Sequence, residues 1–230
     1  MSHAPAGFWR RYAAWTLDAA TVGLPVLLLA GPAMADAAAA LGVAFNALSM
    51  RLATLMLDGL ASVQSPLLLS RQWLADPALL QATQDLQSAL GALLLPPLLG
   101  FVVLSLAWHV AFERSRRQAT PGQRALGLIV VDEAGRRLPA GHALLRFLAG
   151  ALSWLTLNLG HALAALPPRH LALHDRVSGT RVRLRDPDAR TLPAWAKAWI
   201  ALQLLALLAA NAWLLHVAMQ AMQRGFDSML

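Results

Sequence analysis

Four long apolar runs constrain this chain more than any other feature of its sequence. They cover residues 12–35, 86–112, 147–168 and 198–223; the first contains a single charge, Asp18, and the other three contain none. A helix that crosses a bilayer needs about 20 mostly apolar residues, so each run is long enough. Hydrophobic residues make up 57% of the chain and charged residues only 13%. A soluble domain carries about 25% charged residues, so the sequence predicts an all-α integral membrane protein.

The remaining composition excludes several classes of protein. The chain has no cysteine, which excludes a disulfide-stapled module and a metal or iron–sulfur centre bound by thiolates. The net charge is +7, but the sequence lacks the interleaved aromatic and basic residues that form a nucleic-acid-binding surface. We attribute this charge to loops beside anionic lipid, since membrane proteins concentrate Lys and Arg there. We therefore expect the lipid bilayer as a partner, no nucleic acid, no cofactor and no metal.

Basic residues also predict the orientation of the spans. Arg10 and Arg11 precede the first run, and further arginines crowd residues 114–137 and 169–197, whereas the long connection after the first run carries few. Because loops on the cytoplasmic side are enriched in Lys and Arg, we expect a multi-pass membrane protein with a cytoplasmic N-terminus.

The segment 143–168 conflicts with a simple alternation of sides, because both of its flanks are strongly basic. A re-entrant helical hairpin would keep both flanks in the cytoplasm, and irregular backbone is tolerated at membrane depth where protein covers it. Asn158 and Gly160 are candidate break points. The alternative is an ordinary fourth span with one basic flank outside.

The connecting segments predict further elements. Residues 36–85 form a helical excursion outside the membrane, in which Asp76 caps a helix that begins at Pro77. In the cytoplasmic loops 113–142 and 169–196, β-patterns at 126–131, 136–138 and 180–184 predict a small antiparallel sheet. Residues 197–223 form an additional C-terminal transmembrane helix.

Three separated stretches resemble the RDD family of prokaryotic membrane proteins. Arg11 and Asp18 match the pair on the family's first helix, and Asp175 matches the aspartate of its His-Asp-(Lys/Arg)-x-(Ser/Ala)-Gly-Thr segment. The other matching motif positions are Thr120, Pro121, Gly122, Arg124, Gly127, Gly179 and Thr180. Gln123 stands where the family more often has Lys.

The resemblance covers residues 7–185 and implies architecture more firmly than activity. A transport role is commonly suggested for the family, and Na⁺(Li⁺,K⁺)/H⁺ antiport is attributed to some members. The long excursion after the first span and the additional C-terminal helix depart from the family pattern, and either could change function or partners.

Asp18 is the most informative candidate residue, because an unpaired carboxylate inside a membrane costs about 2.5–3.5 kcal/mol on insertion scales. We therefore expect Asp18 either to be neutral or to have a partner, for which Arg11, Arg146 and Arg176 are the candidates. One interpretation is a carboxylate that exchanges a proton or an alkali cation, with an arginine adjusting its pKa. The other is a fixed ion-pair network that locks helices together.

His174 and Asp175 likewise permit two interpretations. His174 titrates near neutral pH and could relay protons. In the other interpretation, Asp175 caps a helix end before a turn at Ser178 and Gly179 and pairs with Arg11 or Arg146.

Three functional hypotheses follow. The first is a small transporter or cation/proton exchanger, which would oligomerise to form a path. The second is a non-transporting scaffold or accessory subunit that contacts a membrane-protein partner. The third, a lipid-modifying enzyme, has no nucleophile–base–acid set to support it, and we expect no enzymatic activity.

Overall fold

The computed structural model describes residues 4–62, 65–156, 158–189 and 191–227. In chain order the α-helices are α1 (Phe8–Ala61), α2 (Pro66–Leu74), α3 (Pro77–Glu113), α4 (Pro121–Ala125), α5 (Ala140–Leu155), α6 (Leu159–Ala162), α7 (Leu173–Val177) and α8 (Ala194–Asp227). A 3₁₀ turn (Leu163–Ala165) follows α6, and two strands, β1 (Leu128–Asp132) and β2 (Thr180–Leu184), complete the fold.

The predicted fold class is confirmed. Within the described residues, α1, α3 and α8 are long and apolar enough to cross a membrane, and the bent pair of α5 and α6 makes a fourth candidate if it counts as one span. The axes of this pair differ by 115°. Asn158, at the break, has a positive φ of 64°, as a change of direction at this point requires. Leu157 lies outside the described residues, and the re-entrant path stays a prediction.

Helix α1 is much longer than the predicted span. It runs without interruption over 54 residues, past the expected end at residue 35. At 1.5 Å per residue its length is about 80 Å, against about 30 Å of hydrocarbon in a bilayer. The first half of the predicted excursion is thus a continuation of α1. Alanines and leucines dominate this stretch and no proline follows Pro32 in α1, so the helix continues through Gly42 and Gly59 to Ala61.

The chain divides into two compact units, and residues 20–105 form one of them. In this unit α1 and α3 are each buried along a seam of small side chains. Ala37 and Ala44 of α1 and Ala82 and Ala89 of α3 are all buried. Their seven-residue spacing keeps each pair on one face of its helix, and small side chains let helix backbones approach closely.

The turn before α3 follows the prediction. Asp76 caps α3, since its Oδ1 accepts the backbone N–H of Leu79 at 2.7 Å. The same carboxylate forms a two-point ion pair with Arg51 of α1. The sequence-predicted helix start at Pro77 is confirmed.

The second unit comprises the chain before and after these residues, and its core lies under the small sheet. Strands β1 and β2 are antiparallel, with Val130 opposite Val182. Their inner face packs against small residues of the helices, Ala13 and Ala14 of α1 among them. The N-terminal segment extends the sheet at the other edge of β2, where the Ala6 N–H donates to the Val182 carbonyl oxygen.

The sheet corrects one prediction. The return strand expected at 136–138 does not exist; Arg136 instead closes a turn by donating its N–H to Asp132 Oδ1 at 2.7 Å. The partner of β1 is β2, whose bounds agree with the prediction at 180–184. Three residues are too few to cover β1, whereas β2 pairs along its whole length.

Helix α8 is joined to α1 by polar contacts within this unit. The Trp199 indole donates to Thr16 Oγ1 at 2.9 Å, and the Tyr12 hydroxyl donates to Gln203 Oε1 at 3.0 Å. The additional C-terminal helix is therefore attached to the first span through hydrogen bonds and not through apolar contact alone.

The Arg51–Asp76 pair predicts a pH-dependent stability of the first turn of α3. Arg51, followed by the Leu79 amide, lowers the pKa of Asp76 to about 2, below the value near 3.9 of an unfolded chain. A lowered pKa means that the stabilising contribution is complete above about pH 5 and is lost as the pH falls through about 2. We expect Asp76→Asn to speed amide exchange at residues 78–80 at neutral pH, measured by mass spectrometry.

Asp85→Asn, at an exposed acid of the same helix, is the control and should leave exchange in this turn unchanged. Equal exchange in wild type and Asp76→Asn at neutral pH would contradict the prediction.

Candidate functional site

A buried carboxylate, Asp175, holds two arginines together at the centre of the site. Its side chain is fully buried, and its Oδ2 accepts Arg11 Nη1 at 2.5 Å while its Oδ1 accepts Arg146 Nη1. The backbone N–H of Ala172 also donates to Oδ2 at 2.9 Å, so Asp175 caps α7. Burial disfavours the ionised carboxylate, but Arg146 and Arg11 outweigh it and hold the pKa of Asp175 well below its usual value. Asp175 therefore both caps α7 and pairs with two arginines, which is the geometry that the second interpretation expects.

Arg146 extends the site from α7 to the end of α3. Its Nε lies 3.3 Å from Glu113 Oε2, and its Nη1 donates to Thr180 Oγ1 at 2.8 Å. Arg146 and Glu113 are both buried. The formal charges of Arg11, Arg146, Asp175 and Glu113 cancel, and such pairing is what makes buried charge tolerable.

Glu113 then connects the ion pairs to the Thr-Pro-Gly segment. Gln123 donates its side-chain amide to Glu113 Oε1 at 2.8 Å. The same side chain accepts the Thr120 N–H at 2.9 Å, and Thr120 Oγ1 accepts the Gln123 N–H at 3.2 Å, which is a capping box at the start of α4. Gln123, at the position where the family more often has Lys, thus joins a helix cap to the ion-pair network.

Asp18 ends this series of contacts. Its Oδ2 accepts the Thr120 hydroxyl at 2.5 Å, and its Oδ1 accepts the Gly122 N–H at 2.9 Å and the Trp108 indole N–H at 3.1 Å. Only 1% of the residue is exposed. All three donors are electrically neutral groups, and together they bind both oxygens of the carboxyl group.

None of the candidate basic partners binds Asp18. Arg11 and Arg146 both bind Asp175 instead, and no basic side chain among the described residues forms an ion pair with Asp18. The reason lies in the loop after α3, which delivers a backbone N–H and a hydroxyl to Asp18 directly.

Five of the predicted residues, Arg11, Asp18, Thr120, Arg146 and Asp175, belong to a polar chain that we define as Arg11–Asp175–Arg146–Glu113–Gln123–Thr120–Asp18. Two predicted arginines lie outside it. Arg176 is exposed and forms no ion pair with another described residue, and the Arg124 side chain is also exposed. Both point away because their neighbours in sequence, Asp175 and Gln123, face inward.

His174 lies next to the polar chain but forms no short hydrogen bond with it. Its Nε2 lies 3.5 Å from Asp175 Oδ1. Burial, followed by the charge of Arg146, lowers the pKa of His174 well below its usual value. The imidazole is thus neutral at physiological pH, which weakens the interpretation of His174 as a relay that titrates near pH 7.

The motif glycines and prolines have identifiable structural roles. A Cβ on Gly122 would lie 2.2 Å from the Ala14 carbonyl oxygen, so only glycine allows α4 to approach α1 and bind Asp18. Gly127 and Gly179 have φ values of 67° and 61°, which let the chain turn into β1 and β2. Pro121 occupies the first turn of α4, where its missing N–H costs nothing.

Sequence reasoning missed Glu113, Gln123 and Trp108 as members of the site. Glu113 carried a usable signal, because it is the one acid at the junction of an uncharged run and a basic segment. Gln123 was noticed only as a departure from the family. Trp108 lies inside an apolar run, where an indole is unremarkable, and nothing in the sequence distinguishes it.

We predict that Asp175→Asn strongly destabilises the protein. The substitution leaves Arg11 and Arg146 buried without a full counter-charge, and breaking a buried ion pair from one side costs about 3–5 kcal/mol. For a chain of this size we expect Tm to fall by about 10 °C. Tm is measured in detergent from the intrinsic fluorescence of the eight tryptophans. Arg176→Ala, at the exposed neighbour, should leave Tm within about 2 °C of wild type, since surface substitutions are usually near neutral. An equal fall in Tm in both variants would show that the loss of stability does not come from the ion pairs of Asp175.

We also predict that Gly122→Ala destabilises the protein by about 1–3 kcal/mol, because the added methyl group must displace α4 from α1. Gly150→Ala is the matched control: a Cβ there meets nothing within 4 Å, and alanine favours a helix by about 0.5–1 kcal/mol. In thermal unfolding, the Tm of Gly122→Ala should therefore fall and the Tm of Gly150→Ala should rise. A Gly122→Ala variant as stable as wild type would show that the close approach is dispensable.

Comparison with known proteins identifies the family of the chain. The sequence model of the RDD family matches residues 5–179, which include every member of the polar chain. The chain is also similar to the uncharacterized protein YxaI of Bacillus subtilis (strain 168), with 34% identity over 88 residues, covering 38% of this chain and 58% of YxaI. No solved structure matches the chain. This protein belongs to the RDD family of membrane proteins.

Proposed function

We propose that this RDD protein is a non-transporting membrane scaffold or accessory subunit, in which the polar chain is structural. One observation carries the proposal: all six oxygens of the three buried carboxylates accept donors from the protein itself. Both oxygens of Asp175 bind arginines. One oxygen of Glu113 binds Arg146 and the other binds Gln123. The two oxygens of Asp18 bind Trp108, Thr120 and Gly122. A carboxylate that carries an alkali cation needs oxygens that the cation can reach.

Close packing supports the same conclusion. At Asp18 the loop lies so near α1 that a Cβ on Gly122 would be 2.7 Å from Asp18 Oδ2. A site with so little free space is suited to holding α4 and β1 in place on α1. In this proposal the polar chain fixes the sheet to the membrane helices, and the protein has no enzymatic activity.

The parts of the chain that contact a partner would then lie outside the polar chain. Helix α1 carries large exposed apolar side chains well beyond the length of one span, Met50 (73% exposed) and Leu60 (83% exposed) among them. Helix α8 continues beyond its contacts with α1 as an exposed apolar helix. Lipid covers such surfaces within the bilayer, and beyond it a membrane-protein partner or a second copy of this chain would cover them.

We further propose a bacterial inner-membrane location with the N-terminus in the cytoplasm. The unit that contains the sheet carries exposed arginines at positions 114, 116, 117, 124, 136, 137 and 185. Basic loops are retained on the cytoplasmic side, and the anionic lipid of that leaflet attracts them.

A cation/proton exchanger is the second candidate, and a specific observation favours it. Asp18 is buried in a membrane helix and forms no ion pair with any described basic residue. It could therefore accept a proton without leaving an arginine unpaired, and ionisable residues inside membranes are often functional.

Flux measurements in proteoliposomes separate the two functions. If the protein is a scaffold, wild type should show no proton-coupled Na⁺ or K⁺ flux under either pH gradient. Asp18→Asn should lower Tm, because the NH₂ group of the asparagine must then face a donor that a carboxylate oxygen accepts in wild type.

Asp36→Asn is the control, since Asp36 is an exposed acid of the same helix, and its Tm should not change. Flux in wild type that Asp18→Asn abolishes without loss of Tm would establish the exchanger and reject the scaffold.

A further inference from the structure

Four buried polar atoms outside the polar chain have no hydrogen-bond partner among the described residues. One is Arg181 Nε, and the other three are Ser153 Oγ, His161 Nδ1 and His174 Nδ1. Ser153 lies in the last turn of α5, His161 in α6 and His174 in α7. Buried polar groups in proteins are almost always satisfied, so such a group calls for a partner.

The three side chains lie on α5, α6 and α7 where these helices converge. The rings of His161 and His174 are 5.1 Å apart between centroids, with their planes tilted by 54°. Ser153 approaches the backbone of Gly160, where a Cβ would lie 2.2 Å from Ser153 Oγ and 3.0 Å from Leu173 Cβ. The glycine thus lets α5, α6 and α7 converge, and it brings the serine hydroxyl beside both histidine-bearing helices.

The charges nearby determine what His174 can offer. Its Nε2 faces Asp175 Oδ1 at 3.5 Å, so the carboxylate favours a proton on Nε2 and leaves a lone pair on Nδ1. Burial and Arg146 keep the ring neutral. Nδ1 of His174 is therefore an acceptor that needs an N–H or O–H donor.

We propose that Ser153, His161 and His174 bind an internal water molecule between α5, α6 and α7. A buried water typically makes about three hydrogen bonds to otherwise unsatisfied groups, and three are available here. Water donates to His174 Nδ1 and exchanges hydrogen bonds with the serine hydroxyl. Since it both donates and accepts, it satisfies either tautomer of His161.

A cation is a poorer occupant of the same site. Arg146 and Arg11 repel positive charge from His174, and a zinc site needs three or four ligands where only two imidazoles are present. Among the described residues no group of three or more His, Cys, Asp or Glu could hold a metal ion. The water site extends the polar chain into the bent α5–α6 segment, and it does not depend on whether the protein transports ions.

Solid-state NMR of the full chain in lipid bilayers tests the proposal directly. With ¹⁵N-labelled histidine, we expect His161 and His174 to show through-space cross-peaks to water, with Nδ1 of His174 in the shift range of a hydrogen-bonded acceptor. His161→Phe and His174→Phe assign the signals, and the exposed His142 provides a reference for contact with bulk water. One equivalent of Zn²⁺ should leave both Nδ1 shifts unchanged.

Absence of water cross-peaks at both rings in wild type would overturn the proposal, as would a shift of both Nδ1 signals on addition of Zn²⁺.

A double-mutant cycle provides an independent measurement. If one water joins the groups, Ser153→Ala and His161→Phe should each lower Tm by about 3 °C, and the double variant should lose less than the sum because the second change removes a contact already lost. If the groups are merely unsatisfied, removing them should raise Tm. A rise in Tm, or strictly additive losses, would overturn the proposal.

Discussion

Burial of carboxylate charge is the constraint on which the rest of this structure depends. Asp18, Glu113 and Asp175 are each nearly inaccessible to water, and a buried charge is tolerated only where the protein supplies partners in place of the lost hydration. The partners come from distant parts of the chain: Arg11 and Asp175 are 164 residues apart. Satisfying these three groups therefore brings the start of α1, the end of α3, α4, α5 and α7 into one arrangement.

The same constraint explains the positions of the small residues. Gly122 must lack a side chain so that its N–H reaches Asp18, and the alanines at 13 and 14 leave room under the sheet. Because the sheet packs on these residues and the polar chain connects the elements around them, the membrane helices and the sheet hold each other in place. Such a closed set of contacts favours one fixed arrangement, as the scaffold proposal requires.

Sequence reasoning succeeded where a pattern is local. Three of the four apolar runs, the helix start at Asp76-Pro77 and the alternation at 180–184 each depend on neighbouring residues, and each was confirmed. It failed where the partner was distant or neutral. No periodicity reveals that a tryptophan in an apolar run and a backbone N–H, rather than an arginine, would bind Asp18. The expected strand at 136–138 failed because β2, far along the chain, competes for the same edge of β1.

The sequence by itself determined that this is a membrane protein, where its main helices lie and which charged residues need a partner. It could do so because hydropathy, charge and capping are properties of short segments. Only the tertiary structure decided which partners they find. Arg11 and Arg146 both bind Asp175, Asp18 is bound by neutral donors, and α1 continues far past the length of a bilayer. These outcomes depend on which groups meet in three dimensions, and a buried charge accepts any donor of suitable geometry, charged or neutral.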